Sequence, residues 1–209
     1  MKYINTYNTE LDYTGDSARL YPNVSYVKAT NEVKWMKNNP SPEPGPTPTP
    51  TPTDNLSAKY TTTSANETVQ IVWSQQSFSG ITIDGTPQTI TGEGEATEFN
   101  YTFTTAGEHE VVFELPNNSK ITSVAFRNCD AMTSINIPST VTQIGHYVFE
   151  NCTALASIIC LATTPPTIQS STFLYVPADC AIYVPTESVN AYKAAANWSS
   201  RAAYIQPIQ

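Results

Sequence analysis

A period of 23 residues governs what this chain can fold into. Ile121-Thr-Ser-Val-Ala-Phe-Arg-Asn-Cys-Asp-Ala-Met-Thr-Ser-Ile-Asn-Ile-Pro138 is answered by Ile144-Gly-His-Tyr-Val-Phe-Glu-Asn-Cys-Thr-Ala-Leu-Ala-Ser-Ile-Ile159. Phe126 maps onto Phe149, Asn128 onto Asn151, Cys129 onto Cys152, Met132 onto Leu155 and Ile135 onto Ile158, always 23 residues on. Self-similarity at such a spacing is the signature of a solenoid. One unit cannot bury its apolar face alone, so units must stack.

The physics of one coil follows from its residues. Thr133-Ser-Ile-Asn-Ile137 alternates polar and apolar, as a half-buried strand does. Pro138 ends it, because proline has no N–H for a ladder. Phe126, Met132 and Ile135 point inward. Asn128 and Cys129 sit at a corner, where an Asn side chain bonds a turning backbone and a small thiol packs as an apolar group. A degraded copy follows, with Phe173 placed 24 residues after Phe149 and Ile182-Tyr-Val-Pro185 repeating the strand-then-proline ending. Upstream, Val111-Val-Phe-Glu-Leu-Pro116 reads as the strand of an earlier coil. About three coils is near the minimum that stands alone, so both ends need covering.

At these residues the chain resembles the bacterial surface leucine-rich repeats of the BspA type, whose repeats share the Phe-x-Asn-Cys…Ile-x-Ile-Pro pattern. Their terminal cap is similar to Cys160-Leu-Ala-Thr-Thr-Pro-Pro-Thr167, Ala181-Ile-Tyr-Val-Pro-Thr-Glu-Ser-Val-Asn-Ala-Tyr-Lys193 and Trp198. The resemblance covers residues 113–209 and implies an adhesive or structural surface, not a reaction.

Of 209 residues, 40% are hydrophobic and only 13% charged, with Thr, Ser and Asn in place of charges. That balance suits exposed β surfaces better than helices. A net charge of −8 argues against nucleic acid and against anionic membranes, which both favour a basic face. No run approaches the ~18 apolar residues that a membrane span needs. Met1-Lys-Tyr-Ile-Asn-Thr-Tyr-Asn8 lacks a secretory core, so the reading expects assembly in the cytoplasm and release by lysis rather than export. Cys129, Cys152, Cys160 and Cys180 form no C-x-x-C pair and do not cluster with His109 or His146, which disfavours zinc. Cys129 and Cys152 share a register, about one strand spacing (~5 Å) apart. A disulfide fits such a distance, but the repeat pattern alone explains both residues, and the expectation is a ladder of reduced thiols.

Residues 1–38 are rich in Tyr and Asn and too short for a core of their own. Val24-Ser-Tyr-Val27 and Glu32-Val-Lys-Trp-Met36, joined by the turn-forming Lys28-Ala-Thr-Asn31, predict a β-hairpin. Tyr3, Tyr7, Tyr13, Tyr21, Tyr26 and Trp35 are costly to leave in water, and aromatics concentrate at interfaces. Against a floppy tail, this favours an anchor that folds on a partner or on copies of itself. Tyr21-Pro-Asn-Val-Ser-Tyr-Val27 with Asn31-Glu-Val-Lys-Trp35 is similar to the N-terminal tags on structural proteins of tailed phages of gut Bacteroidetes, crAss-like phages included. The resemblance implies that such a leader fixes varied surface modules to the virion. It assigns the anchor to Tyr21, Val24, Tyr26, Val33 and Trp35, contacting capsid or other virion proteins. Fibres of this kind are mostly trimers, so a homotrimer is expected.

From Pro40 to Pro52 every second residue is proline, which makes residues 39–54 a polyproline-II spacer. At ~3.1 Å per residue it holds its ends about 50 Å apart. Its prolines lack the flanking Arg or Lys of an SH3-type ligand. Residues 55–112 read as a small β module with strands over 68–73, 80–84, 99–103 and 108–112, a tight turn at Asp84-Gly85 and a loop at 92–95. Its last strand runs into the first repeat, so it is expected to cover the open end. Glu187–Asn197 predicts a helix with Thr186 or Ser188 as N-cap and Val189, Tyr192 and Ala196 on one face, closing the other end beside Trp198. The fold class is therefore mainly β: a hairpin anchor, a Pro-rich linker, a small β module and a short leucine-rich-repeat solenoid over 113–209 with a capping helix.

The chain carries no phosphate loop, no H-E-x-x-H and no G-x-S-x-G, so neither an enzyme nor a cofactor is expected. His146 reads as a turn residue. His109, between Glu108 and Glu110 on a strand, reads as solvated. Glu93, Glu95 and Glu98 with Asp84 fit no calcium-loop spacing and offer loose Ca²⁺ binding at most. The leading expectation is a virion fibre or decoration protein, anchored by its N-terminus and displaying the repeats toward a host-surface glycan or protein. A bacterial cell-surface adhesin is the alternative.

Overall fold

In the computed structural model, residues 2–4, 10–12, 27–28, 54–90, 97–116 and 119–208 are described. The chain divides into two compact units, residues 1–49 and 50–209. In the first, strands β1 (Lys2–Ile4), β2 (Glu10–Asp12) and β3 (Val27–Lys28) form an antiparallel sheet in the order β2-β1-β3. Val27 lies in a strand, and Lys28, expected in a turn, extends that strand by pairing with Tyr3 of β1. Tyr21, Val24, Tyr26, Val33 and Trp35 lie outside the described residues, as do the partner strand of the expected hairpin and the linker up to residue 53.

The second unit is mainly β. Its strands are β4 (Leu56–Thr62), β5 (Glu67–Val72), β6 (Gly80–Ile83), β7 (Thr86–Gln88), β8 (Phe99–Phe103), β9 (Gly107–Glu114), β10 (Lys120–Ile121), β11 (Met132–Ile137), β12 (Gln143–Ile144), β13 (Ser157–Cys160), β14 (Ala181–Val184) and β15 (Ile205–Pro207). A mixed eight-stranded sheet runs β15-β14-β13-β11-β4-β9-β6-β7. The two strands at its edges both contain proline, Pro207 and Pro87. Proline cannot donate to a further strand, and it blunts an edge that would otherwise template association.

The repeat sets the parallel half of this sheet. Ile135 pairs with Ile158, Ile158 with Ile182 and Ile182 with Ile205, so one isoleucine per turn of chain forms a buried ladder. The turns opposite are stacked in the same way. The Phe126 and Phe149 rings lie 5.9 Å apart at 6°, and Phe149 and Phe173 lie 5.7 Å apart at 5°. Trp198 then meets Phe173 at 5.5 Å, tilted by 60°, and occupies the next place in the column. Backbone bonds pass from each turn to the following one: Val124, Phe126 and Asn128 N–H donate to the carbonyls of His146, Val148 and Glu150. Phe149 and Asn151 N–H then donate to Thr172 and Leu174. A third, minor row joins β10 to β12, and Gln143 to Thr167.

The upstream module covers the first repeat along both rows. β4 lies antiparallel against β11, and Trp73 N–H, just after β5, donates to Ala125 O of the first turn. Val111–Pro116 is not the strand of an earlier coil. Its residues Val111–Glu114 belong to β9, which pairs antiparallel with β4, so β4 stands between them and β11. Sequence reading missed β4 altogether.

At the other end, α1 spans only Val189–Ala194, preceded by a 3-10 turn at Thr186–Ser188 and followed by a 3-10 helix at Trp198–Tyr204. Ser188 does not cap it. Its hydroxyl donates to Thr163 O. Ala195 is extended, which takes the exposed Ala196 off the helix face that buries Tyr192. Trp198 is fully buried, and its Nε1–H donates to Pro166 O at 2.8 Å.

Candidate functional site: the turn row of the repeats

The repeats make their sharp turns with left-handed residues on either side of the stacked phenylalanine, the third copy keeping only the one after it. Val124 and Tyr147, two residues before the stacked phenylalanine, have φ of 60° and 55°. Asn128, Asn151 and Tyr175, two residues after it, have φ of 59°, 60° and 59°. Asn tolerates the left-handed region because its short amide bonds locally, whereas a bulky side chain there is strained. This explains the Asn of the repeat and marks Tyr175 as its exception. Tyr175 gains little packing in return, since 69% of it is exposed.

The surface column thus reads amide, amide, aromatic. Asn151 Nδ2 donates to Asn128 Oδ1 at 3.3 Å, and Tyr175 takes the next rung. Leu174 beside it and Tyr147 on the neighbouring turn are also exposed large apolar side chains. His146 is a turn residue, as expected, and its Nδ1 lies 3.2 Å from Ser171 Oγ. Flanking charge is neutralised in place: Arg127 Nε sits 2.7 Å from Glu150 Oε2, with its guanidinium 5.3 Å over the Trp73 ring. Sequence reading passed over Tyr147 and Tyr175. For Tyr175 the detectable signal was an aromatic residue standing where the other repeats have Asn, and for Tyr147 an aromatic standing where the first repeat has Val124.

Beneath the turns lies a thiol column. Cys152 Sγ–H donates to Phe126 O of the preceding turn at 3.1 Å, and Cys129 Sγ–H donates to Ile71 O of β5 at 3.2 Å. All four cysteines are unpaired and buried. Burial pushes the Cys152 thiol up to about 12 and raises Cys129 well above the ordinary range. Cys160 and Cys180 rise to about 11 for the same reason.

His109 departs from expectation: it is buried, not solvated. Alternation along β9 turns Glu108 and Glu110 outward, and the same alternation turns His109 inward. Its Nδ1 is 2.8 Å from Asp84 Oδ2 and its Nε2 is 3.2 Å from Thr62 Oγ1, with the ring stacked 3.8 Å from Phe103. The order carboxylate–imidazole–hydroxyl matches a hydrolytic triad, but Thr62 is only 3% exposed and also bonds Thr105 O. No substrate reaches that hydroxyl, so the cluster is a clasp between β6, β9 and the end of β4. Asp84 is committed to it, accepting also from Glu110 N–H. Glu93 and Glu95 lie outside the described residues, and among the described residues no three His, Cys, Asp or Glu side chains are placed to hold a metal. Among those residues, too, no helix is long and apolar enough to cross a membrane.

An open cleft of about 500 Å³ lies where the β4–β5 turn meets the first two repeats, between Glu67, Gln70, Asp130 and Thr133. Glu67 is already engaged by Thr63 and Ser64, whose N–H groups donate to it and hold its carboxyl below the usual range.

Residues 100–196 match the family described as the BspA type leucine rich repeat region, six copies. The match begins within β8 and stops short of Trp198, covering somewhat less than half of the chain. A repeat region of this type is typically an interaction module without catalysis. Comparison with curated proteins gives no match.

Proposed function

We propose that the chain is a structural virion protein of a tailed phage, a fibre or decoration protein. Residues 1–38 hold it to the particle, residues 39–54 keep it at a distance, and the remainder is displayed. In this reading residues 113–209 are a short leucine-rich-repeat solenoid, the module over 55–112 covers its first coil, and the chain is a homotrimer. The observation that carries the display role is the ordering of the repeat unit. Both ends of its stacked rows are covered from within the chain, by β4 and β5 at one end and by Trp198 at the other. Such a unit needs no partner to fold, which frees its turn face for contact. The assignment to a phage particle is supported by the resemblance of Tyr21–Val27 and Asn31–Trp35 to virion tags.

The test is assembly. Deleting residues 1–38 yields a folded, β-rich protein that no longer joins particles, and fusing residues 1–54 to an unrelated domain brings that domain to them. Trp35→Ala and Tyr26→Ala weaken attachment by up to about 2–4 kcal/mol each as central anchors. Mass spectrometry of purified virions against cell envelopes decides between this reading and a cell-surface adhesin. Normal assembly of the deletion variant sinks the anchor role.

A further inference from the structure

We propose that the column Asn128–Asn151–Tyr175, flanked by Tyr147, is a binding strip for a neutral, unsulfated polysaccharide. The inference rests on the display reading and names the ligand class for its exposed face.

Three observations converge. First, Tyr175 stands in a left-handed backbone position that the two preceding repeats fill with Asn, and its ring is mostly in solvent. Strain held for little packing return concentrates at binding sites. Second, the same column carries two amides bonded to each other through Asn151 Nδ2 and Asn128 Oδ1. That leaves Asn128 Nδ2 as a donor and Asn151 Oδ1 as an acceptor with no bond among the described residues. Third, the strip holds no charge of its own; the adjacent Arg127 and Glu150 cancel each other and leave the exposed Asp130 beside Asn128, on a chain whose net charge is −8.

The chemistry selects the ligand. A pyranose presents a face of C–H bonds whose partial positive charge suits the negative face of a tyrosine ring. Its hydroxyls both donate and accept, which suits amides that offer one of each. Successive turns are about one strand spacing, ~4.8 Å, apart, on the order of one sugar unit. A saccharide lying across the turns therefore stacks on Tyr175 while the next unit meets the amides. An acidic glycan is disfavoured by the net charge and by the exposed Asp130 two residues from Asn128, and the side chains of the strip itself carry no carboxylate for a cationic segment.

The experiment is native affinity electrophoresis of the full chain through gels containing yeast mannan, dextran or galactomannan, with heparin as the anionic control. The variants are taken from the chain's own repeats: Tyr175→Asn and Tyr147→Val supply the residues of neighbouring turns. The expected result is retardation in at least one neutral gel and none in heparin. Tyr175→Asn raises the dissociation constant at least about tenfold, the scale of a lost hot spot. The same variant melts higher by about 2–4 °C, because the left-handed strain is relieved. Weaker binding in a more stable protein is an outcome that a purely structural tyrosine does not give. Mobility unchanged in all three neutral gels, retardation only in heparin, or undiminished retention by Tyr175→Asn each overturns the proposal. Retention is read on isolated protein, so its failure is distinct from any failure of residues 1–38 to join a particle.

Discussion

Phe149 is sandwiched between parallel rings above and below and is wholly buried. Phe149→Ala removes both contacts at once and is expected to cost about 3–5 kcal/mol, read as a lower urea midpoint. Melting within a degree or two of the parent contradicts the stacked assignment. The thiols beneath make a second prediction. Alkylation under denaturing, non-reducing conditions labels both Cys129 and Cys152, and a chain that takes no label there is disulfide-bonded. The ordinary thiol value is about 9, while Cys152 is pushed up to about 12 and Cys160 and Cys180 to about 11. Above pH 9 the unfolded chain sheds protons that the folded chain keeps, so stability is complete below that pH and falls through the folded values. The urea midpoint is expected to drop steadily from pH 9 to 11, with a contribution on the order of 1 kcal/mol per pH unit from Cys152. Cys152→Ala makes the decline shallower, and an unchanged slope rules out this origin. At this scale the sequence was legible wherever the period spoke: Phe126, Phe149, Met132 and Ile135 are all buried. His109 was misjudged because its acidic neighbours were weighed instead of the alternation that separates it from them. Tyr175 was overlooked because the copy that contains it has drifted.

The turns approach so closely that one position tolerates no side chain. A Cβ on Gly145 would meet the Ser123 backbone nitrogen at 2.6 Å. That atom cannot rotate away, so Gly145→Ala is expected to cost about 1–3 kcal/mol as overpacking, measured by thermal melting. A neutral outcome means that the turns separate more easily than their stacking suggests. Element boundaries were harder to read than the period. Leu56–Thr62 has little apolar alternation, and its partner β11 begins at Met132, so no local signal announces β4. Ile205–Pro207 is three residues long and ends in proline, yet it completes the isoleucine ladder. The helix was drawn too long because its alanines favour helix, whereas Trp198 must leave the axis to stack. Arg201 holds that departure in place by donating to the carbonyls of Phe173, Val176 and Pro177.

At the scale of the molecule, residues 50–209 form a compact unit of their own. A chain lacking residues 1–49 is expected to melt at the parent temperature within about 2 °C, less than the shift of a single kcal/mol, by circular dichroism. A large drop means that the first unit supplies part of the stability of the second. The mainly β class was legible from composition and alternation. The joining of the module to the repeats in one sheet was not, because it depends on a pairing between distant segments.

Because each turn hands its N–H groups to the next one and each isoleucine pairs with the next, the interior of the stack is indifferent to how many turns it holds. Only the first and last are special. The stack of turns is in this sense a ruler whose length is set by counting. Duplicating residues 138–160 in tandem is expected to lengthen it by one strand spacing, ~4.8 Å, without disturbing either end. Such a chain melts no lower than its parent, and one that melts lower shows that the two ends sense each other through the stack.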